Sequence, residues 1–220
     1  MSYTRRWSSA EAPLLPSIIP DLALLPRPLN DTALPVGQLV SRTSKHNPSS
    51  LEDRDYDDIG TRWYKDVILF DSESGRFLES FGGSHLVQTT LQPGKEAGTI
   101  EAESQRVRLL KDPEAALRKV LQADHARQWL QNNVEAGFVV ATREVTNASY
   151  KRARLIDAGN GLYEVGRDVG GEMKDGKRRD SGLDVRTSSK TDIVGVIVRK
   201  VIMKDGMATL GEELEATFWV

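Results

Sequence analysis

Three histidines are the residues of this chain best suited to metal or acid–base chemistry, and their placement favours neither. His46 falls in a polar stretch, His85 in an alternating stretch and His125 at the start of a predicted helix. None has a second histidine or a carboxylate at metal-ligand spacing on its own element. The chain contains no cysteine, so it has no thiolate nucleophile, disulfide or Cys-based metal site. We therefore expect no metal and no cofactor.

Two other stretches look like ligand-binding loops but lack the required spacing. Residues 159–166, GNGLYEVG, do not follow the G-x-G-x-x-G pattern and precede an alternating stretch where that motif needs a helix. The acidic run 53–58 lacks the ligand order and the glycine of an EF-hand, which favours a solvated loop. There is also no Walker-type lysine and no G-x-S-x-G elbow. The sequence predicts no catalytic residues and a protein that is not an enzyme.

Basic residues offer a different chemistry, contact with anionic headgroups. Arg5 and Arg6 precede Trp7, and arginine beside tryptophan suits a lipid interface, although an ordinary surface arm explains the pattern equally well. A second basic cluster lies within residues 174–179. The net charge of −2 argues against nucleic-acid binding but is compatible with one basic face.

The length of 220 residues and the hydrophobic fraction of 39% fit one large domain or two small ones. No run approaches the roughly 20 apolar residues of a transmembrane helix. Prolines interrupt the apolar positions near the N-terminus, which makes a poor signal peptide. Any membrane contact would therefore come from amphipathic strands or surface patches, and we expect a soluble resting form.

The stretch 137–204 organises the chain. It begins and ends as apolar strands, 138–145 and 193–203, which we expect to pair in a core. Between them lies a long segment with alternation but little apolar content. The first strand can continue to Ile156, and the tip at 157–161 predicts a hairpin.

The register of that hairpin has two solutions. A two-residue turn at Asn160–Gly161 sets Ile156 opposite Val165 and Arg154 opposite Arg167. A three-residue tip sets Leu155 opposite Val165 and Arg152 opposite Asp168, which pairs opposite charges. The sequence alone leaves both open.

A second hairpin of the same weakly apolar type is predicted at 85–110, with strands 86–92 and 99–109. Asp112 followed by Pro113 marks a helix start, and Asp124 is predicted to cap a second helix containing Trp129 and Leu130. We also expect a short helix at 3–15, strands at 36–43 and 61–70, a polar loop at 44–60 and a turn at 71–75. From Met207 the spacing favours a final helix, with a short strand as the alternative.

The order of these elements resembles the pore-forming N-terminal domain of gasdermins, closest to short fungal gasdermins of allorecognition and regulated cell death. The resemblance is carried by several stretches spread over roughly residues 20–205: 25–31, 37–42, 62–70, 107–113, 123–125, 137–145 and 191–198.

The resemblance implies an α+β fold, a twisted antiparallel sheet with flanking helices, whose two hairpins refold into a transmembrane β-barrel. It implies one pore-forming domain over 1–220 without a C-terminal inhibitory domain, cytoplasmic at rest and at the plasma membrane when active. Its partners would be acidic phospholipids and further copies of the chain or of an allelic variant. One departure is the loop 45–60, which is acidic here and basic in the family.

Two sets of residues follow from this interpretation. The lipid contacts would be Arg5, Arg6, Trp7, Lys151, Arg152, Arg154, Lys174, Lys177, Arg178 and Arg179. The inserting strands would contain Leu86, Val87, Leu91, Ile100, Ala102, Val145, Tyr150, Leu155, Ile156, Leu162, Tyr163, Val165 and Val169. Arg152, Arg154 and Arg167 would have to face the lumen or the headgroups, because an arginine at the lipid midplane costs about 2–4 kcal/mol in a barrel.

Overall fold

The computed structural model describes residues 20–48, 50–62, 66–71, 75–82, 86–88, 96–159, 162–167, 189–204, 206–215 and 218. Within them, β-strands dominate and two short helices follow one another in the chain. The strands are β1 Ala23–Asn30, β2 Leu39–Val40, β3 Lys45–His46, β4 Tyr56–Arg62, β5 Asp66–Asp71, β6 Arg76–Gly82, β7 Leu86–Gln88, β8 Glu96–Ala102, β9 Ser104–Leu110, β10 Gly137–Thr146, β11 Ser149–Gly159, β12 Leu162–Arg167, β13 Thr191–Lys204 and β14 Met207–Glu213. The helices are α1 Pro113–Val120 and α2 Asp124–Asn132.

The described strands form one antiparallel sheet, which makes the fold an α+β class dominated by β-structure. The predicted pairing of the two apolar strands is confirmed, since β10 and β13 run side by side from Gly137 opposite Lys200 to Thr146 opposite Thr191. Several of their apolar side chains, including Val139, Val196 and Val198, are fully buried. This pair therefore forms the centre of the hydrophobic core.

Strands β8 and β9 run beside β10 and β11 as one nearly continuous ladder. Ser104 lies opposite Thr146 in the β9–β10 pair, and Glu101 lies opposite Ser149 in the β8–β11 pair. Counting along both strands from either pair gives the same register, so no residue is gained or lost between them. The single interruption falls at Glu103 and Asn147, which are directly opposite. At about 3.3 Å per residue, residues 96–110 would span on the order of 50 Å if fully extended.

The strand pairings return to this long ladder after passing round a closed path. From β10 the path runs through β13, β1, β6, β5 and β8 to β11, which continues β10. A hydrophobic cluster with side chains from five of these strands fills the interior of the path; its buried members are Leu24, Ile68, Phe70, Ile100, Ala102, Val145 and Val194. The path is thinnest between β1 and β6, where one residue pair, Ala23 and Arg76, is in register.

Helix α1 starts as the sequence predicts. Pro113 is its first residue, and the Asp112 carboxylate accepts a hydrogen bond from the Ala115 amide at 2.9 Å. The buried residues Leu117 and Val120 give the helix its core-facing side. In α2 the prediction was wrong in one detail: Asp124 is the first helical residue, and Ala123, which has no capping side chain, precedes it. As expected, Leu130 is buried in the hydrophobic cluster that contains Leu117 and Val120, and Trp129 is partly buried against this cluster.

Several sequence-based assignments need correction. The segment predicted as a final helix forms a strand, β14, which pairs with β13. Leu210 is the one buried residue of this strand, so the segment does not present a helical apolar face. The expected strand 36–43 is reduced to β2, and the expected polar loop 44–60 contains β3 and most of β4. The strand expected at 99–110 is divided at Glu103 into β8 and β9. The helix expected at 3–15 lies outside the described residues.

The predicted hairpin of 86–92 with 99–109 was wrong in its pairing. Strand β7 pairs with β12, whereas β8 lies between β5 and β11. The two segments are close in sequence but separated in the sheet by β11 and β12. Local alternation identified both strands correctly but contains no information on which distant strand each one joins.

Candidate functional site

The strands that the sequence analysis assigned to membrane insertion lie together in one part of the sheet. We call β6, β5, β8, β11, β12 and β7, in that spatial order, the distal sheet. We call β4, β9, β10, β13 and β1 the core sheet. The two sheets are continuous with each other, because β8 of the distal sheet runs on into β9 of the core sheet, and β10 of the core sheet runs on into β11 of the distal sheet. The distal sheet is therefore an extension of the core and not a separate unit.

The predicted β11–β12 hairpin is confirmed, and its register combines the two solutions derived from sequence. Gly159 lies opposite Leu162, which corresponds to a two-residue turn at Asn160–Gly161. A shift at Ala158 then moves the pairing by one residue, so that Leu155 lies opposite Val165. A one-residue bulge at Ala158 thus produces the register expected for a three-residue tip. The further pair of Arg152 with Asp168 lies outside the described residues.

This register distributes residue types unequally between the two faces of the distal sheet. Residues directly opposite each other share a face, and neighbours along a strand alternate. In the outer part of the distal sheet, the apolar face receives Val87, Ala97, Ala153, Leu155, Tyr163 and Val165, together with Asp157 near the tip and Arg167. The charged face there receives Glu96, Arg152, Arg154 and Glu164, together with Leu86, Gly98, Ile156, Leu162 and Gly166. Strands of a membrane-spanning barrel need this kind of alternation. Toward the core the pattern reverses, because Lys151 and Glu101 continue the apolar face, whereas Tyr150 and Ile100 continue the charged face.

Arg167 departs from the requirement that the sequence analysis set for the arginines. It lies opposite Ala153, on the apolar face, whereas Arg152 and Arg154 share the charged face. The three arginines therefore cannot all face one lumen in this register. Without the bulge at Ala158, Arg154 would lie opposite Arg167 and all three would share a face.

Three of the residues assigned to insertion are buried in the resting fold. Ile100, Ala102 and Val145 each expose 1% or less of their surface, inside the closed path of strands. Tyr150 is partly buried, and the remaining positions have described backbone only or lie outside the described residues, as Leu91 and Val169 do. For the inner part of the distal sheet, insertion would thus require the core cluster to open.

Among the residues assigned to lipid contact, the structure describes the side chain of Lys151. Its ammonium group lies 3.0 Å from the Glu101 carboxylate, which is almost completely buried. An ion pair of this kind explains why a lysine is present on β11 without invoking lipid. For Arg152 and Arg154 the structure describes the backbone, and the remaining residues of the set lie outside the described part: Arg5, Arg6, Trp7, Lys174, Lys177, Arg178 and Arg179.

The junction between the two sheets is built from Glu103 and Asn147. Asn147 is the one non-glycine residue with positive φ, at 49°, among those described. Its side-chain amide donates a hydrogen bond to the Glu103 carboxylate, and the Glu103 amide donates to the Thr146 carbonyl at 3.0 Å. Left-handed backbone interrupts an extended strand, and asparagine is among the few residues that tolerate it. The sequence signal was present but was read as an uninterrupted strand.

Phe77 of β6 is one of the apolar contacts between the distal sheet and the core sheet, beside the buried cluster described above. Its ring lies over Gly195 of β13, where a Cβ atom would come within 2.6 Å of the ring. The Arg143 guanidinium of β10 lies 4.6 Å from the centre of the same ring. A second, polar contact joins Tyr150 of β11 to Asp192 of β13: the phenol donates to the carboxylate at 2.7 Å.

The Tyr150–Asp192 contact is partly buried, and both carboxylate oxygens of Asp192 are hydrogen-bonded. The second oxygen of Asp192 accepts from the Ser189 hydroxyl at 2.6 Å. Tyr150 lies on a strand assigned to insertion, and no local sequence signal identifies Asp192 as its partner.

The core sheet carries an exposed ladder of ion pairs that the sequence analysis also missed. Arg108 holds Asp58 through two hydrogen bonds of 2.9 and 3.0 Å, and Arg106 pairs with Glu144. The hydrogen bond from Arg108 is the main cause of the lowered pKa of Asp58. These contacts tie β4, β9 and β10 together.

Two histidines that sequence placed on separate elements come together in space. The rings of His46 and His125 are 5.0 Å apart, and Trp129 lies 6.2 Å from His46. Burial, with a further contribution from His125, lowers the pKa of His46. Among the described residues no group of three His, Asp or Glu side chains is arranged to hold a metal ion. In the same part of the chain, no helix is long and apolar enough to cross a membrane.

Comparison with solved structures finds similarity to a bacterial gasdermin from Bradyrhizobium tropiciagri. The sequences are 12% identical, and the alignment covers 89% of this chain and 90% of that chain with a TM-score of 0.34. A TM-score this low supports no conclusion about fold or function. No protein family model and no curated protein matches the sequence.

Proposed function

We propose that this chain is a non-enzymatic pore-forming protein of the gasdermin type, a single domain that inserts its distal strands into acidic membranes. The observation that carries the proposal is the register of the distal sheet. In the outer part of the distal sheet it places Ala153, Leu155 and Val165 on one face and the charges of Arg152, Arg154 and Glu164 on the other. Strand β11 has 11 residues, and a spanning strand needs about 9–11.

Oligomerisation follows from the same reasoning. A strand in lipid must have every backbone amide and carbonyl paired, and only a closed barrel provides this. The few distal strands of one chain cannot close a wide barrel, so several copies would have to contribute. We infer a form that rests in the cytoplasm and acts at the plasma membrane. By the sequence resemblance, its role would be regulated cell death in fungal allorecognition, triggered by a variant partner.

The attraction to acidic lipid would come from the basic residues, above all the cluster of Lys174, Lys177, Arg178 and Arg179. Each basic residue near an anionic surface contributes roughly 1 kcal/mol. Neutralising four of them should therefore weaken binding on the order of 100- to 1,000-fold. Lys151 would contribute little, because its ammonium group already pairs with Glu101.

Dye release from liposomes tests the proposal. The protein should release dye from vesicles rich in phosphatidylserine and not from phosphatidylcholine vesicles, and added salt should slow the release. Replacing Lys174, Lys177, Arg178 and Arg179 with glutamine should strongly reduce it. A matched variant with glutamine at four exposed positions outside the distal sheet has the same net charge as this variant and should retain release. The four positions are Arg54, Lys111, Arg118 and Lys204.

An interaction module that stays in water is the alternative outcome. It would show no release from either vesicle type, with or without a variant partner, and no change in its protease sensitivity on adding vesicles. That result would reject the pore-forming function.

A further inference from the structure

We infer that the closed path of strands is a latch: separating β6 from β1 releases the distal sheet, which then straightens at Glu103 and Asn147 without changing register. This inference rests on the proposed function and adds to it the place where the fold opens and the pairing that survives.

The seam between β1 and β6 has few backbone contacts. Ala23 opposite Arg76 is the residue pair in register there, and the Leu24 amide adds one hydrogen bond to the Gly75 carbonyl at 3.0 Å. By contrast, β5 and β6 are in register from Asp66 opposite Gly82 to Asp71 opposite Arg76. Among the described strand pairings that close the path, separating β1 from β6 breaks the fewest backbone hydrogen bonds.

Side chains add to these few backbone contacts by holding the distal sheet against β13 of the core sheet. Phe77 lies between the two hydrophobic clusters on either side of it and covers Gly195. Tyr150 holds the start of β11 to Asp192 of β13. Both contacts join a distal strand to a core strand, and neither joins two strands of the long ladder. They can therefore break while that ladder remains intact.

The junction between the two sheets, Glu103 and Asn147, can straighten without a change of register. Glu103 and Asn147 are directly opposite and exposed, and the ladder has the same register on both sides of them. A change of Asn147 from left-handed to extended backbone would join β10 with β11 and β8 with β9 into straight strands. No hydrogen-bonded pair on either side would have to exchange partners. The change would also break the hydrogen bond that the Asn147 amide donates to the Lys190 carbonyl at 2.8 Å, whereas a register slip would require the whole ladder to separate.

Two engineered disulfides test the inference, and the absence of native cysteine makes them unambiguous. Ala23→Cys with Arg76→Cys places a cross-link across the seam, at two exposed positions directly opposite each other. Ser104→Cys with Thr146→Cys places a matched cross-link inside the ladder, next to the junction. Each protein serves as its own control when the disulfide is reduced.

The expected result is selective. Oxidised seam-linked protein should release no dye from phosphatidylserine vesicles, and reduction should restore release to the level of the cysteine-free protein. Oxidised ladder-linked protein should release dye at least half as fast as its reduced form.

Other results identify what is wrong. If the cysteine-free protein releases dye and the oxidised seam-linked protein does so equally well, the latch is rejected while the pore-forming function stands. Failure of the seam disulfide to form under oxidation would also reject the latch, because the seam would then not be closed in solution. Loss of release in the ladder-linked protein alone would show that the register changes. If the cysteine-free protein releases nothing, both proposals fail.

Discussion

The carboxylate of Glu103 accepts a hydrogen bond from the side-chain amide of Asn147, directly across the ladder from it. The pair stands where core strands become distal strands, and the backbone of Asn147 is left-handed. One residue pair thus divides two long strands into a core part and a distal part. In the proposed function, the distal part enters the membrane and the core part does not.

The helix cap at Asp112 should contribute measurably to stability. Asp112→Ala removes the acceptor for the Ala115 amide and should lower the free energy of unfolding by about 0.5–2 kcal/mol. Asp124→Ala is the matched control, since Asp124 caps no amide and makes an exposed ion pair with Arg127. Urea denaturation checks both variants. Equal losses for the two would contradict the assignment of the cap.

Gly98 should be intolerant of a side chain. A Cβ atom there would lie 1.9–2.6 Å from atoms of the Phe70 ring, which covers the glycine from the neighbouring strand. Gly98→Ala should therefore destabilise the fold by about 1–3 kcal/mol, the usual cost of overpacking. Adding Phe70→Leu should recover part of the loss, because the smaller side chain leaves room for the methyl group. A Gly98→Ala variant as stable as the parent would contradict this packing.

Stability should fall in mild acid because of His46. Burial, and then the neighbouring His125, lowers the pKa of His46 in the folded state, so the folded protein favours the neutral ring. The resulting stabilisation is fully present above the unfolded pKa of about 6.5 and is lost as the pH falls through the lower folded value. His46→Gln should flatten the pH dependence of urea unfolding below pH 6.5. His125→Gln should flatten it less, since burial of His46 remains. Identical slopes in all three proteins would contradict the assignment.

Sequence predicted the elements whose signals are local. Asp112 and Pro113 mark a helix start by their own chemistry, and the alternation of apolar residues predicts the strands β10 and β13. The pairing of β11 with β12 was also predictable, because the two alternating stretches flank a short Gly-rich segment.

What sequence did not give depends on distant partners. Strand β7 joins β12 and not β8, and the spacing of Leu210 and Leu214 fits a helix as well as the observed strand edge. The bulge at Ala158 selects between two registers that are equally consistent with the tip. The contacts of Phe77 with Gly195 and of Tyr150 with Asp192 cross between strands far apart in the chain.

The central claim, that the distal strands enter the bilayer with the register seen here, is tested most directly by single-cysteine labelling along β11 and β12. An environment-sensitive fluorophore would be placed in turn at Ala153, Arg154, Leu155, Ile156, Glu164 and Val165, and its emission compared with and without phosphatidylserine vesicles. The emission should alternate with a period of two residues along each strand. It should shift to that of an apolar environment at 153, 155 and 165 and remain aqueous at 154, 156 and 164. A uniformly aqueous signal, or a shift without alternation, would contradict it.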